Sequence, residues 1–310
     1  MPAPIPLIYH PGYDLNFGAH VFPSQKYRLL REVLILDGFA EPGDFIEPAP
    51  ASRQQLLLAH SEAWIRKLET GTLSYQEAAK LEVPYSRKMA EAFFLAAGGT
   101  LEAARLALER GVAMNLGGGF HHAFRDHGEG FCAINDIAVA ILTLQSEGLI
   151  SKAMVVDLDV HHGNGTASIF SGQREVFTLS LHQENNYPSK KPPSTLDIGL
   201  ADGTGDMEYI ARLKAAYEPA AAGFRPDLIV YVAGVDPYYD DQLGGLSLTM
   251  EGMKARDRTV FDAAFRLRIP VVVTLAGGYA SRVEDTVWLH KQTADAAQES
   301  LYEYRASRAT

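Results

Sequence analysis

The chain contains little cysteine, has no excess of positive charge and lacks long apolar runs. Its single cysteine, Cys132, excludes an internal disulfide. Its 28 Lys and Arg residues are outnumbered by 38 Asp and Glu residues, for a formal net charge of −10, which disfavours a protein that binds nucleic-acid phosphates. No apolar run reaches the roughly 20 residues of a transmembrane helix. The sequence therefore predicts neither a nucleic-acid partner nor a membrane span.

The start of the chain also lacks a targeting signal. Residues 1–6 have neither the basic segment nor the apolar core of a signal peptide, and together with the lone cysteine this favours a cytoplasmic location. With 310 residues and 47% apolar content, the chain has enough material for one large core. Because no domain-sized linker or internal repeat interrupts it, we expect residues 1–310 to form a single domain.

Helical and extended patterns alternate along the sequence. Apolar residues at helical spacing predict helices at residues 24–36, 52–68, 86–110, 135–146, 206–222, 250–267 and 284–303. Short apolar runs bounded by Gly or Pro predict strands at residues 113–116, 153–158, 176–181, 228–233 and 271–275. This alternation predicts an α/β fold with a central, mostly parallel sheet and helices on both faces.

Polar segments follow each predicted strand directly. They comprise residues 117–122, 159–164, 182–188, 236–245 and 277–279. In an open α/β sheet, the carboxyl ends of parallel strands lie at one edge and face the ligand crevice. The sequence therefore predicts one functional site to which all of these segments contribute.

Carboxylates and an imidazole alternate where the second apolar run ends. In an extended segment Asp157, Asp159 and His161 share one side, and such ligands suit a divalent ion, zinc first of all, that takes a third ligand from elsewhere. Asp236 ends another buried run, and binding a cation would offset the cost of burying its carboxylate. In the alternative interpretation Asp236 caps the turn at Pro237, while Asp159 and His161 are ordinary loop residues.

A histidine pair and a tyrosine follow glycine-rich turns. His121 and His122 come after Gly117–Gly119, where backbone can approach a ligand closely, and their imidazoles suit proton transfer near neutral pH. Hydrogen-bonded loop histidines, or ligands of a second metal, are the alternatives. Tyr279 follows Gly277–Gly278, where its hydroxyl could donate to a developing oxyanion or its ring could be a packed surface aromatic.

Taken in order, these motifs resemble the histone deacetylase family of zinc-dependent amidohydrolases. The resemblance runs from about His10 to Tyr279. Its motifs are Gly-Gly-Gly-Phe-His-His-Ala, Gly-Phe-Cys-Ala-Ile-Asn-Asp, Asp-Leu-Asp-Val-His-His-Gly-Asn-Gly-Thr, Ser-Leu-His, Ala-Gly-Val-Asp-Pro-Tyr-Tyr-Asp-Asp-Gln-Leu-Gly and Ala-Gly-Gly-Tyr. It implies an arginase/deacetylase-like fold with the active site at the carboxyl ends of the strands. Asn164 stands where many relatives have Asp, which is similar to the class IV branch and its bacterial relatives.

The resemblance implies a zinc site and a set of catalytic side chains. One zinc ion per chain would be held by Asp159, His161 and Asp236 and would polarise the amide carbonyl and the attacking water. His122 would be the general base, and Tyr279 would donate to the oxyanion of the transition state.

Two further residues would tune the histidines. Asp157 would orient His121, whose role would remain electrostatic, and Asn164 would hydrogen-bond the ring of His122. An amide stabilises imidazolium less than a carboxylate does, so the proton affinity of His122 should be lower than in relatives with Asp.

The resemblance also implies a substrate tunnel and structural potassium. The tunnel would be lined by Gly130, Phe131, Tyr187 and Leu243, with Phe131 as a core residue in the alternative interpretation. Structural potassium would lie near Asp157, Asp159, His161, Ser180 and Leu181, with another ion near Phe170 and Val176.

Several functional classes fit this site. The first is a deacylase that removes acetyl or longer acyl groups from ε-N-acyl-lysine in a protein or peptide. The second acts on a small acylated amine such as an acetylpolyamine, although Leu243 supplies an apolar group where polyamine-selective relatives carry an acid. A binuclear arginase-like hydrolase needs another acidic ligand where Tyr238 stands, and a binding module with a degenerate site would lack a ligand or Tyr279.

Overall fold

The computed structural model describes residues 4–14, 17–18 and 20–308. Its strands are β1 (Leu7–Ile8), β2 (Phe45–Ile46), β3 (Val112–Asn115), β4 (Ala153–Asp157), β5 (Val176–Gln183), β6 (Leu196–Leu200), β7 (Leu228–Val232) and β8 (Val271–Thr274). They form one eight-stranded sheet in the order β2-β1-β3-β8-β7-β4-β5-β6, and every neighbouring pair is parallel. The predicted α/β fold is confirmed.

Helices flank this sheet in two groups. They are α1 (Lys26–Leu36), α2 (Arg53–Ala59), α3 (Glu62–Thr70), α4 (Tyr75–Leu81), α5 (Arg87–Arg110), α6 (Asp136–Ser146), α7 (Asn164–Ile169), α8 (Asp206–Phe224), α9 (Met250–Leu267) and α10 (Val283–Ala306). One group joins α2, α3, α5 and α6, whereas the other packs α1 on α10, α10 on α9 and α9 on α8. Among the described residues, no helix combines the length and apolar character needed to span a bilayer.

The central strands are buried along their whole length. Every residue of β3, β4, β7 and β8 is buried, as expected for parallel strands whose two faces are both covered. Their sequences are accordingly continuous apolar runs, such as Val271–Thr274. These were the strands that the sequence pattern predicted most directly.

One predicted helix is wrong as a single element. The predicted helix at residues 52–68 is divided into α2 and α3 by His60, which is extended at φ −117° and ψ 156°. The His60 ring accepts a hydrogen bond from the backbone N–H of Asn135 at 3.0 Å. Ser61 donates its backbone N–H to Arg125 at 2.7 Å, and its side chain caps α3. These long-range bonds to the loop before α6 override a continuous helical pattern.

Short or half-exposed elements were not predicted. These are β1, β2, β6, α4 and α7. Strand β6 contains Gly199 and lies at the edge of the sheet beside β5, so its pattern lacks the apolar continuity of the central strands.

Candidate active site

Two carboxylates and one imidazole meet at the carboxyl ends of neighbouring strands. Asp159 and His161 follow β4, and Asp236 follows β7, which pairs with β4 in the sheet. All three side chains are buried. The Nδ1 atom of His161 lies 3.0 Å from Asp159 Oδ1 and 3.2 Å from Asp236 Oδ2.

This group has the properties of a cation site. Its ligand atoms lie within 4.8 Å of one another, and Asp236 Oδ2 is buried with no hydrogen-bond partner. The other Asp236 oxygen, Oδ1, accepts from the Val160 backbone N–H at 2.8 Å. Burial and the neighbouring Asp159 raise the pKa of Asp236 to about 7. Because unpaired buried carboxylates are costly, a divalent ion fits these residues.

Glycine brings backbone close to the same carboxylates. Gly277 donates its N–H to Asp159 Oδ2 at 2.8 Å. A Cβ on Gly277 would lie 2.0 Å from Asp236 Oδ2 and 2.6 Å from Asp159 Oδ2. Only glycine allows the loop after β8 to approach the two acids this closely.

The imidazoles of His121 and His122 lie beside this group, and one contacts a carboxylate while the other contacts an amide. His121 Nδ1 is 2.7 Å from Asp157 Oδ2, and His122 Nδ1 is 2.7 Å from Asn164 Oδ1. The two Nε2 atoms are 3.0 Å apart. His121 Nε2 also lies 3.8 Å from Asp159 Oδ1, so the histidine pair adjoins the Asp-His-Asp group.

The partners separate the proton affinities of the two rings. Burial alone lowers the pKa of His121, but Asp157 and Asp159 more than offset it and raise this pKa to about 9. Burial and the neighbouring His121 hold the pKa of His122 well below its usual value. At neutral pH, one imidazole is therefore a cation and its neighbour is an uncharged base.

Tyr279 completes the site from the loop after β8. Its backbone N–H donates to Asp241 Oδ2 at 2.6 Å, and this bond fixes the position of the Tyr279 backbone. Burial and the carboxylates of Asp159 and Asp236 raise the pKa of its hydroxyl well above the usual value. The hydroxyl is therefore protonated and can serve as a hydrogen-bond donor.

A cavity of about 220 Å³ leads to these residues. It is lined by Glu82, His122, Gly130, Phe131, His161, Asn186, Tyr187, Leu243 and Tyr279. The Phe131 ring lies 6.0 Å from that of Tyr279, and the Tyr187 ring lies edge-on to His122 at 4.9 Å. All four residues predicted to line a tunnel therefore lie on its wall. Phe131 is half-buried there and not part of the closed interior.

The residues predicted for potassium lie beneath this site, within and after the sheet. Asp157 pairs with Ser180 in the register of β4 and β5, and Leu181 follows Ser180. Val176 begins β5, and Phe170 directly follows α7. The potassium sites themselves stay a prediction.

A second group of metal-type ligands lies across the ends of β4, β5 and β6. It contains His162, His182 and Asp197. His162 Nε2 lies 3.1 Å from Asp197 Oδ1, and His182 Nδ1 lies 3.0 Å from Ser180 Oγ. Within the described part of the chain, only the His162–Asp197 bond joins two members of this group, and His162 Nδ1 is buried without a hydrogen-bond partner.

Comparison with known proteins assigns the fold and the site to a family. Residues 20–294 match the histone deacetylase domain. The chain belongs to the histone deacetylase family. The resemblance read from its motifs is thereby confirmed, and membership places the chain among deacetylases, which are hydrolases.

Relatives of this histone deacetylase-family chain include a bacterial and a plant protein. It is 39% identical over 295 residues to an uncharacterized protein of Picosynechococcus, covering 95% of this chain and 98% of the relative. It is 34% identical over 288 residues to Histone deacetylase 2 of Arabidopsis thaliana, covering 89% and 74%. The fold is similar to the crystal structure of the HDA15 HD domain, with a TM-score of 0.80 and 27% identity over 96% of this chain and 90% of that one.

Sequence reasoning missed several polar residues of this deacetylase-family site. Glu82 lines the cavity, Glu129 contacts Asn164, and Asp241 holds the backbone of Tyr279. Lys26 is fully buried beside the site, where it donates to the Ala276 carbonyl at 2.6 Å. A signal existed for Glu129, which directly precedes the Gly-Phe-Cys motif, and for Asp241, which lies in the predicted polar segment 236–245.

Proposed function

We propose that this chain is a zinc-dependent amidohydrolase that removes acetyl or longer acyl groups from ε-N-acyl-lysine. Residues 1–310 would form one catalytic domain acting on a protein or peptide in the cytoplasm. One observation carries the proposal. A narrow aromatic-walled cavity ends at a buried Asp-His-Asp group, a charge-separated histidine pair and a protonated tyrosine.

Asp159, His161 and Asp236 would hold the zinc ion. When bound there, zinc supplies a Lewis acid that polarises the amide carbonyl and acidifies the attacking water. The unpartnered Asp236 Oδ2 supports this ligand set. The positions of Ser180 and Leu181 beside Asp157 further support structural potassium.

The histidine pair would move the proton of the reaction. His122, uncharged at neutral pH, accepts a proton at Nε2 from the water whose oxygen adds to the carbonyl carbon. It then delivers that proton to the lysine nitrogen as the C–N bond breaks, giving a carboxylic acid and an amine, which at neutral pH become a carboxylate and an ammonium ion. His121, held as a cation by Asp157, stabilises the negative charge that develops beside it.

The cavity wall and Tyr279 would select and orient the acyl-lysine. Phe131 and Tyr187 present ring surfaces to an aliphatic stem. The Tyr279 hydroxyl donates to the carbonyl oxygen as its charge grows. Asn164 and the segment from Asp236 to Asp241 support a place near class IV within the family.

A small acylated amine is the second candidate substrate. Glu82 lines the cavity, and its carboxylate would attract the distal ammonium of an acetylpolyamine. Leu243 on the same wall is apolar and opposes that substrate. The peptide substrate is therefore favoured.

A substrate panel tests this function. Zinc-loaded protein is assayed against acyl-lysine peptides from acetyl to myristoyl and against acetylspermidine, with bound zinc measured in parallel. We expect chelator-sensitive peptide hydrolysis, and Asp236→Ala should lose both zinc and activity. Preference for acetylspermidine would move the assignment to small amines. Full activity and full zinc content in Asp236→Ala would refute the ligand set.

A further inference from the structure

The side-chain amide of Asn164 has a fixed orientation in the structure. Its Oδ1 faces His122 Nδ1 at 2.7 Å and accepts from the Gly165 backbone N–H at 3.0 Å. Its Nδ2 donates to Glu129 Oε1 at 2.5 Å. The amide oxygen and nitrogen have nearly the same shape, so their partners decide which of them faces His122.

Two contacts bear on where His122 carries its hydrogen: the Asn164 amide at Nδ1, and His121 Nε2, which lies 3.0 Å from His122 Nε2 and favours a lone pair there. With an oxygen facing Nδ1, that nitrogen must donate, so Nε2 keeps the lone pair that accepts a proton. If the amide turned over, Nδ2 would donate to His122 Nδ1. The hydrogen would then sit on Nε2, where the ring could no longer act as a base toward the cavity.

Glu129 opposes that reversal because an ionised carboxylate only accepts hydrogen bonds. Burial raises its pKa, but hydrogen bonds from His127, Asn164 and Tyr187 outweigh burial and hold this pKa below the usual value. The side chain is therefore a carboxylate at neutral pH. It is also anchored, since its own carbonyl accepts from the Cys132 backbone N–H at 2.9 Å.

We propose that Glu129 is a positioning residue that sets the tautomer of His122 through the amide of Asn164. An Asp at the position of Asn164 would place its carboxylate directly against the His122 ring. In this chain the carboxylate of Glu129 contacts the Asn164 amide instead of the His122 ring. Because Glu129 accepts from the amide nitrogen, the amide oxygen faces the ring as the acceptor. The inference rests on the proposed function, in which His122 is the base.

A double-mutant cycle separates this role from a merely structural one. In zinc-loaded protein, Glu129→Ala should lower kcat by about 10- to 100-fold, with KM changed by less than about threefold. Asn164→Asp has no amide to orient and places two acids within hydrogen-bond distance. In that background, Glu129→Ala should therefore raise kcat. An equal loss of kcat in both backgrounds would show that Glu129 acts by supporting its loop, and would overturn the proposal.

The matched control is Glu184→Ala. Glu184 is exposed and lines the same outer cavity of about 1130 Å³ as Glu129 and Asn164. This variant removes the same charge from that cavity without touching Asn164, so kcat should stay within about twofold of the original value. A loss as large as that of Glu129→Ala would assign the effect to the electrostatic field of the cavity and refute the positioning role.

A spectroscopic measurement tests the same proposal without turnover. In zinc-loaded protein with ¹⁵N-labelled histidine, the His122 signals are assigned by their loss in His122→Ala. We expect hydrogen on Nδ1 in the original chain and a shift toward Nε2 in Glu129→Ala. An unchanged tautomer in Glu129→Ala would overturn the proposal. If no acyl substrate were cleaved, the proposed function would fail, while this spectrum would still decide the role of Glu129.

Discussion

At the residue scale, two adjacent histidines differ because their buried surroundings carry different charges. Asp157 offers His121 a carboxylate, whereas Asn164 offers His122 an amide oxygen. Burial lowers the pKa of both rings, but Asp157 and Asp159 more than offset it at His121. At His122 the charge of His121 adds to burial and the Asn164 amide offsets little, so the two pKa values move in opposite directions. One residue type can therefore supply both a fixed cation and a base in the same site.

Truncating the two histidines should have unequal effects. We expect His122→Ala to lower kcat by about 10²- to 10⁴-fold, because a general base is lost. His121→Ala should cost less, since only electrostatic stabilisation disappears. Single-turnover rates and zinc content of both variants provide the measurement. If His121→Ala abolished turnover and His122→Ala did not, the two roles would have to be exchanged.

Removing the Tyr279 hydroxyl should impair turnover more than substrate binding. Tyr279→Phe keeps the ring beside Phe131 but loses a donor that acts in the transition state, so kcat should fall by about 10²- to 10³-fold. Steady-state kinetics on the best peptide of the panel would measure this, with zinc content as the control. A rise in KM at constant kcat would contradict the oxyanion role.

At the scale of elements, the long helix α5 packs closely against an extended segment. Ala51 donates its backbone N–H to the Phe94 carbonyl at 2.9 Å. A Cβ on Gly98 would lie 1.9 Å from the Ala49 carbonyl oxygen and 2.8 Å from the Ala51 nitrogen. A glycine inside a helix weakens it locally, but here it permits close packing of one backbone on another.

Gly98→Ala should therefore destabilise the protein despite a better helix propensity. We expect a net loss of about 1–3 kcal/mol from overpacking, which exceeds the gain of up to about 1 kcal/mol in propensity. Urea unfolding gives the free energy directly. Gly223→Ala in α8 is the control, since a Cβ there meets nothing within 4 Å. A stabilised Gly98→Ala protein would disprove the packing argument.

The link between α2 and α3 makes stability depend on pH. His60 is buried, and burial lowers its pKa to about 4. In the unfolded chain this pKa returns to about 6.5, so the unfolded state binds more protons as the pH falls below that value. The stability that depends on an uncharged His60 is complete above pH 6.5 and is lost progressively as the pH falls toward 4.

His60→Gln should reduce this pH dependence. Between pH 7 and pH 5 the titration of His60 should remove about 2 kcal/mol of unfolding free energy. At pH 7 the variant should be less stable, because the hydrogen bond from Asn135 is weakened. Between pH 7 and pH 5, however, its free energy of unfolding should fall by about 2 kcal/mol less than that of the original chain. Urea unfolding at the two pH values compares the slopes. Identical losses in both proteins would show that His60 does not carry the effect.

At the scale of the whole molecule, the parallel sheet gathers the site from distant parts of the sequence. Asp159 and Asp236 are brought together because β4 and β7 pair in register. Burying these two acids costs free energy, and a cation that binds only the folded state would offset this cost.

Zinc should therefore stabilise folding as well as support activity. At a free zinc concentration about 100 times the dissociation constant, binding to the native state alone adds about 2.7 kcal/mol. Urea unfolding with zinc and with a chelator measures the difference, and Asp236→Ala should show none. Equal stability under both conditions would contradict a zinc site made by the folded chain.

The sequence by itself determined the alternation of helices and strands and the family, and it pointed to the residues of the candidate metal site. These features depend on local periodicity and on short motifs, since apolar runs lead into Asp159 and Asp236, and Tyr279 follows the turn at Gly277–Gly278. The long buried strands and helices were predicted within a few residues for the same reason.

Only the tertiary structure decided the break at His60, the edge strand β6, the buried Lys26 and the contact of Glu129 with Asn164. Each depends on groups far apart in the chain: Asn135 bonds to His60, and Asn164 lies 35 positions from Glu129. No local pattern encodes such contacts. They form when the fold brings the groups together, and burial then fixes their hydrogen bonds and their charges.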